Sequence, residues 1–348
     1  LRTDPDKTDW KKIVVFRTDR LGDLILSLPV VEAIKAALPA ATIDLFVNPY
    51  TAPLAGLQRH VSGVVPDVYP GLRGLRALTR FLRSQRYDLA IHLFPVSRLA
   101  LATFRAGVPV RAGTIYRSFS FLFNRRIRLR RWEAGMHERD LNLNLIEGIG
   151  IPVGQVSAGL EIPNRFREEV LHLLAARGID PEGQGFVVIH PGSGESSLNW
   201  PAEHFGELGK AILERGIPVV LTGSDGDRPV VDRVKATMGE AGSDLCGQLD
   251  LEHLAALLWV ASLVVSNSTG PLHLADALGT KVIGLYSPYL AAAPHRWGPY
   301  GQPENVLVPD GMACRHCSRE KCEHYNCLAT ILPEAVLARA MELLSTCP

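Results

Sequence analysis

Residues 12–38 read KIVVFRTDRLGDLILSLPVVEAIKAAL. An apolar, β-branched run from Lys12 to Arg17 ends at the turn Leu21-Gly22-Asp23, after which Leu24, Leu28, Val31, Ile34 and Leu38 recur at spacings of 4, 3, 3 and 4. Apolar residues three and four apart share one face of an α-helix, so the stretch predicts a strand, a glycine-containing turn and a helix over 24–38. This is the opening of a parallel sheet covered by helices, if the alternation continues.

It does continue. Strand-like runs follow at 42–47 and 87–94, with helical patterns at 72–84 and 137–148. Residues 151–184 change character, with Pro152, Pro163 and Pro181 and several glycines around one helical segment at 165–177. Such composition predicts an interdomain connection. A second alternation then runs through strands at 186–190, 218–222, 263–266 and 281–286 and helices at 201–215, 227–238, 251–260 and 271–278, with a last helix at 333–344. The expected fold is α/β with two Rossmann-like domains and parallel sheets: an N-terminal domain over 1–160, a connection over 161–184, a second domain over 185–332 and a C-terminal segment over 333–348.

Composition agrees with two domains. At 348 residues the chain exceeds the size at which one core stops growing. With 47% hydrophobic and 21% charged residues it is a folded, globular chain, and no run of about 18 apolar residues could span a bilayer. Residues 1–12 are charged and carry no apolar signal-peptide core, which points to the cytoplasm. A net charge of +1 argues against nucleic acid as the partner. The charge is uneven, however: Arg117, Arg125, Arg126, Arg128, Arg130 and Arg131 fall in one stretch without an acid, with Phe119, Phe121, Leu122 and Phe123 among them. That segment reads either as a solvated edge strand over core aromatics or as a patch for an anionic ligand or a membrane surface.

In sheets of this kind ligands bind at the carboxyl ends of the strands. Arg17, Asp19, Arg20, Gly22 and Asp23 lie at such an end in the first half. The second half offers His190-Pro191-Gly192-Ser193-Gly194, then Thr222-Gly223-Ser224, then Ser266-Asn267-Ser268-Thr269-Gly270-Pro271-Leu272-His273. Small residues let backbone amides approach a diphosphate, and a helix starting near Gly270 would aim its positive end at that charge. Asp225 and Asp227 could accept from ribose hydroxyls, or belong to a solvated loop. Neither half carries the dinucleotide-binding glycine fingerprint or a Walker lysine, which disfavours nicotinamide enzymes and P-loop NTPases.

Taken in order, Arg17-Thr18-Asp19-Arg20-Leu21-Gly22-Asp23 with Leu28-Pro29, His190 to Gly194 with Asn199-Trp200-Pro201, and Ser268 to Ala275 with Ala277-Leu278-Gly279 resemble glycosyltransferase family nine, the lipopolysaccharide heptosyltransferases and their relatives. The resemblance spans almost the whole chain. It implies a GT-B architecture with the two sheets facing a cleft, inversion at the anomeric carbon without a metal cofactor, and a nucleotide-sugar donor, ADP-linked in the best-known members. It further implies an anionic glycolipid acceptor, peripheral contact with the inner membrane, and a C-terminal helix that crosses back to the first domain.

Carried onto this chain, the resemblance makes Asp23 the general base, in keeping with the need of an inverting displacement for one carboxylate near the attacking hydroxyl. The alternative is that Asp23 caps the following helix. Arg17, Asp19 and Arg20 fall on the acceptor side. Gly192, Ser193, Gly194, Thr222, Gly223, Ser268, Thr269, Gly270 and His273 fall on the donor side. Two positions depart from the family pattern: Leu198 stands where a lysine is usual, and Ser268 where an acid is usual. Ser196, Ser197 or Arg296 could supply part of the missing contact. The departures motivate a rival reading, a non-catalytic carbohydrate- or nucleotide-binding protein, while a sugar-nucleotide epimerase of the same fold is disfavoured by the acceptor-side match.

Four of the six cysteines form Cys314-x2-Cys317-x4-Cys322-x4-Cys327, interleaved with His316 and His324. Thiols so close suggest a structural zinc site or a redox-sensitive loop more than a disulfide framework. Cys246 and Cys347 read as isolated thiols.

Overall fold

The computed structural model describes residues 9–130, 135–194, 198–288, 293–309 and 326–345. The chain divides into two compact units, Leu1–Glu161 and Ile162–Pro348.

Unit 1 is a six-stranded sheet of β1 (Lys12–Arg17), β2 (Thr42–Val47), β3 (Gly63–Pro66), β4 (Leu89–His92), β5 (Val110–Thr114) and β6 (Arg125–Ile127). Its order is β3-β2-β1-β4-β5-β6, and every pairing is parallel. The helices are α1 (Leu21–Ile25), α2 (Leu28–Ala37), α3 (Ala52–Ala55), α4 (Gly71–Gln85), α5 (Ser97–Ala106) and α6 (Glu138–Glu147). Strand β4 is buried along its whole length and β1 along all but its first residue, as sheets covered on both faces require. On one face Val14, Phe16, Phe46 and Ala90 meet Leu75, Leu78 and Leu82 of α4 and Leu99 and Ala102 of α5. Helices α2 and α6 pack on each other.

Unit 2 repeats the plan with β7 (Val187–His190), β8 (Val219–Leu221), β9 (Ser243–Asp244), β10 (Leu263–Asn267), β11 (Val282–Leu285) and β12 (Val306–Leu307), again all parallel, in the order β12-β11-β10-β7-β8-β9. Its helices are α7 (Asn164–Ala175), α8 (Ala202–Leu213), α9 (Arg228–Met238), α10 (Leu251–Val260), α11 (Gly270–Ala277), α12 (Pro294–Trp297) and α13 (Pro333–Ser345). In both units the strand order reverses direction beside the first strand, at β1/β4 and at β7/β10, and the carboxyl ends flanking such a reversal are where this fold class takes its ligands.

Three expectations change. The helix expected over 24–38 is two helices: Pro29 sits in the first turn of α2, where a missing N–H costs nothing, and Ser27 Oγ donates to the Asp23 carbonyl at 2.7 Å across the break. The supposed connection contains α7, which packs on α10 and so belongs to unit 2. The C-terminal helix, expected on the first domain, is part of unit 2: α13 packs on α8, and Val336 and Ala340 are fully buried in a core with Val187, Phe205, Leu208 and Val265. Its apolar face is what completes that core.

No helix among the described residues is long and apolar enough to cross a membrane. Charge divides unevenly between the units. Unit 1 contains 23 Lys and Arg against 14 Asp and Glu, a formal +9, whereas unit 2 has 14 against 22, a formal −8.

Ending the chain at residue 332 should therefore strip the core of unit 2. Each buried aliphatic side chain contributes about 1.5–3 kcal/mol, so urea unfolding of the truncated protein should show unit 2 weakened by several such increments, on the order of 5 kcal/mol. Unchanged unfolding of unit 2 would contradict this placement of α13.

Candidate active site

Strand β1 ends on Arg17, whose side chain is only 2% exposed. A buried guanidinium must be paired, and three carboxylates do this. Nε contacts Asp19 at 2.8 Å, Nη2 contacts Asp23 at 2.5 Å, and both terminal nitrogens reach Glu138 at 3.3–3.4 Å. Nη1 also donates to the Asn142 amide oxygen at 3.2 Å. The Asn142 amide nitrogen in turn donates to the Leu26 carbonyl and to Ser27 Oγ, both at 3.2 Å. The first strand, α1, the break before α2 and the start of α6 are thus joined through one side chain.

Asp23 is the third residue of α1, whose N-cap position is the exposed Arg20. Its carboxylate serves Arg17 rather than a helix end, so the capping alternative does not hold. Asp19 and Asp23 each keep a small exposed fraction, whereas Glu138 is sealed. Burial pushes the Asp19 carboxyl up to about 6, with Arg17 opposing the shift and the neighbouring Asp23 adding to it. One cation among three carboxylates leaves an excess of negative charge, which a proton on Asp19 relieves as the pH falls through about 6.

In unit 2 the carboxyl ends of β7, β8 and β10 converge through short polar contacts. His190 Nδ1 lies 3.0 Å from Thr222 Oγ1, Ser266 Oγ donates to the His190 carbonyl at 2.8 Å, and Ser266 Oγ and Thr269 Oγ1 are 2.9 Å apart. Burial lowers the His190 imidazole to about 4, so it is neutral near pH 7 and offers a diphosphate no charge. Asn267 fastens the loops from within, donating to the Pro191 carbonyl and accepting from the Trp200 backbone N–H, both at 2.8 Å. The Trp200 indole donates to the Ile331 carbonyl at 2.8 Å, which makes the Asn-Trp-Pro motif an internal brace.

The glycines are steric requirements here. A Cβ at Gly192 would stand 2.1 Å from an Asp227 carboxylate oxygen, because Asp227 is drawn back to Ser224 by bonds of 2.9 and 2.7 Å in a capping box. Gly194 takes φ +50°, which favours glycine. Helix α11 starts at Gly270, and Thr269 lends it no side-chain cap because that hydroxyl turns to Ser266. Its leading amides are therefore not met by the cap residue. His273 is buried one turn in, and Gly223 and Ser193 are partly exposed at their strand ends. The Ser268 side chain bonds the buried Tyr286 hydroxyl. Leu198 packs against the core of unit 2.

The structure thus gathers Arg17, Asp19 and Asp23 in one unit and the donor-side residues in the other. Glu138 and Asn142 were missed by sequence reasoning. Their one signal is two polar residues four apart on the face of α6 that also buries Leu141 and Leu145. Arg296 lies over the Trp297 ring at 4.9 Å. Ser196, Ser197, Cys314, Cys317 and Cys322 lie outside the described residues, and Cys327 is buried at the start of a single 3-10 turn.

Residues 75–328 match the profile of glycosyltransferase family 9 (heptosyltransferase). The chain is 26% identical over 306 residues to the lipopolysaccharide core heptosyltransferase OpsX of Haemophilus influenzae, an alignment that covers 85% of this chain and 84% of that protein. Among solved structures, a family 9 glycosyl transferase from Veillonella parvula superposes with a TM-score of 0.83 at 22% identity, covering 97% of this chain and 98% of that one. The E. coli ADP-heptose lipopolysaccharide heptosyltransferase II gives 0.79 at 23% identity, over 96% and 98%. Both likenesses show the same fold.

The raised Asp19 carboxyl has a thermodynamic consequence with a definite sign. Its folded-state value lies above its unfolded one, so its contribution to stability is greatest below about pH 4 and is lost as pH rises through about 6. Asp19→Asn removes that loss, and melting at pH 8 should show a gain on the order of 1–3 kcal/mol that shrinks at pH 5. A gain of equal size at both pH values would show that ionisation of Asp19 is not its source.

Proposed function

The chain belongs to glycosyltransferase family 9, and we propose that it transfers a heptose or related sugar from an ADP-linked donor to a lipopolysaccharide core or a similar anionic cell-envelope glycolipid, with inversion and without a metal cofactor. Each unit supplies one half of the reaction. Unit 1 binds the acceptor and carries the base; unit 2 binds the donor.

In this reading the acceptor hydroxyl oxygen attacks the anomeric carbon, the bond from that carbon to the diphosphate oxygen breaks, and the acceptor proton passes to an oxygen of Asp23. The observation that carries the assignment is the clamp on Asp23, whose carboxylate is held by a buried arginine at 2.5 Å while 18% of the side chain stays exposed. Fixing a base in this way removes rotamer freedom that would otherwise be lost in the transition state. Arg17 is occupied by protein carboxylates, so we assign it the positioning of Asp23 rather than contact with the acceptor. Arg20, exposed at the head of α1, is free to approach an anionic acceptor.

On the donor side, the leaving diphosphate would meet the leading amides of α11 and the glycine loops after β7 and β8. Leu198, partly buried against the core of unit 2, adds no charge there. This distinguishes the donor site from one that relies on a lysine and leaves the helix end and Arg296 as the groups to stabilise charge.

Asp23→Asn preserves size and one acceptor oxygen for Arg17 but cannot take the proton. Turnover should fall by about a hundred- to ten-thousand-fold, while ADP affinity, read by titration calorimetry, stays unchanged. Transfer at the parental rate would remove Asp23 from the mechanism, and an absence of any turnover in the parental protein with ADP-sugars would favour the non-catalytic binding reading. ADP at a hundredfold excess over its Kd should also stabilise the protein by about 2.7 kcal/mol in thermal melts. Stabilisation by UDP, GDP or CDP in its place would reassign the donor.

A further inference from the structure

Helices α7 and α10 of unit 2 pack side by side. Where α10 ends they leave a cleft of about 360 Å³, lined by Arg167, Leu171, Pro181, Glu182, Trp259 and Val260. That volume is within the range of clefts that take small ligands. Arg167 and Leu171 sit one turn apart on α7, Trp259 and Val260 are the last two residues of α10, and Pro181 and Glu182 belong to the turn that leads to β7.

All three walls are fixed from behind. His253 spans the two helices, with Nε2 2.6 Å from Glu169 of α7 and Nδ1 2.7 Å from Asp250 at the head of α10. Its ring meets the Phe166 ring edge to face at 5.2 Å. Val170 and Leu174, on the inward side of α7, are fully buried. In the turn, the Asp180 carboxylate accepts from the Glu182 backbone N–H at 3.1 Å, and the Asp180 carbonyl accepts from Gln184 and Gly185 at 3.2 Å. The cleft is preformed.

Trp259 is 42% exposed and is the only exposed tryptophan among the described residues. The Arg167 guanidinium lies 5.8 Å from the centre of its ring, and Nη2 of the same side chain is 3.4 Å from the Glu182 carboxylate. A contact of that length between two exposed side chains is loose, so it leaves donors and acceptors open to a ligand.

These groups select among ligands. An anion drawn to Arg167 meets Glu182, and a cation drawn to Glu182 meets Arg167. A wholly apolar group would strip water from both charges and return nothing. What suits the cleft is a neutral molecule with one flat apolar face for the indole and adjacent hydroxyls at its edge, which donate to the carboxylate and accept from the guanidinium. A pyranose chair has this form, with C–H groups on a face and equatorial hydroxyls around the rim. We propose that the Trp259 cleft is a second carbohydrate site, which binds a neutral pyranose residue of a glycan with its C–H face on the indole and neighbouring hydroxyls bridging Arg167 and Glu182.

The cleft is separate from the donor side of the same unit. Its residues precede β7 and β10, at the amino ends of those strands, whereas the His190 and Ser268 loops follow the carboxyl ends. Strands of four and five residues, at about 3.3 Å per residue, set the two ends roughly 13–17 Å apart. A sugar held in the cleft does not react there. The site anchors a glycan, which goes beyond the transfer proposed above and needs no turnover to be observed.

The test is titration of the isotope-labelled full chain with methyl α-D-mannopyranoside and with methyl β-D-glucopyranoside, followed through the Trp259 indole N–H, which Trp259→Phe identifies by its disappearance. At least one sugar should move that signal with a Kd in the millimolar range, and saturating ADP should leave the shift in place. By saturation transfer to the sugar protons, Trp259→Ser should weaken binding by about tenfold or more at a parental melting temperature, whereas Trp259→Tyr keeps an aromatic face and should stay within about threefold. Arg167→Ala with Glu182→Ala should weaken it by about fivefold or more. An indole signal that neither sugar moves would overturn the proposal. So would a shift that ADP abolishes, which would put the sugar on the donor side, or binding indifferent to Trp259→Ser. A response to adenosine in place of both sugars would assign the cleft to a flat aromatic ligand instead.

Discussion

A guanidinium inside a protein is tolerated only with its partners in place, and Arg17 ends the central strand of unit 1 almost wholly out of water. The attraction it exerts is short-ranged, yet it acts on elements far apart in sequence, since Glu138 and Asn142 lie 121 and 125 residues away. Removing Arg17 itself should cost about 3–5 kcal/mol, because Glu138 and its neighbouring carboxylates would then be left without a cation, whereas loss of one carboxylate leaves two to compensate Arg17. The positions of α1 and α6 beside β1 are therefore coupled. Had the position been apolar, the strand could have packed as well, but nothing would then hold Asp23 in one orientation. A neutral residue has the comparable part in unit 2: Asn267, at the end of β10 beside that unit's first strand, holds the loop after β7 and the approach to α8 with its two amide atoms. One unit organises its strand ends with charge and the other with amide bonds.

Much of this was legible in the sequence, because much of it is local. Period-3.6 patterns located α4, α6, α8 and α10 within a residue or two, since their apolar faces are continuous. The glycine-bearing strand ends were legible for the same reason, as turn chemistry is written in adjacent residues. Some local elements escaped, with α5 and the short strands β3, β5 and β6 carrying too brief a pattern to be assigned, and the rest of what escaped was non-local. Glu138 carries no mark that ties it to Arg17, because a contact across 121 residues leaves no trace in spacing. The division of the first helix at Ser27 was hidden because Leu24 and Leu28 keep helical spacing across the break. Periodicity says which face of α13 is apolar, not which core receives that face, and only the packing of Val336 and Ala340 decides.

The departure at Leu198 gains a physical meaning from its surroundings. It stands just before Trp200, whose ring is enclosed by His204 and Phe205 and whose indole is tied to Ile331. Trp200 is thus committed to the interior, and the apolar side chain at 198 packs against the same core. The loop is built to brace.

The opposite charges of the two units have a consequence for handling the molecule. A chain with a formal +1 would ordinarily be expected to be least soluble near neutrality and indifferent to ion-exchange media. Here that small sum conceals a strongly basic and a strongly acidic half. Neighbouring molecules in dilute buffer can attract one another through unlike halves at the very pH where the total suggests no electrostatic interaction. Moderate salt should then increase solubility by screening that attraction, and resins of either sign should retain the protein. For a chain of this kind the isoelectric point describes an average that neither half possesses.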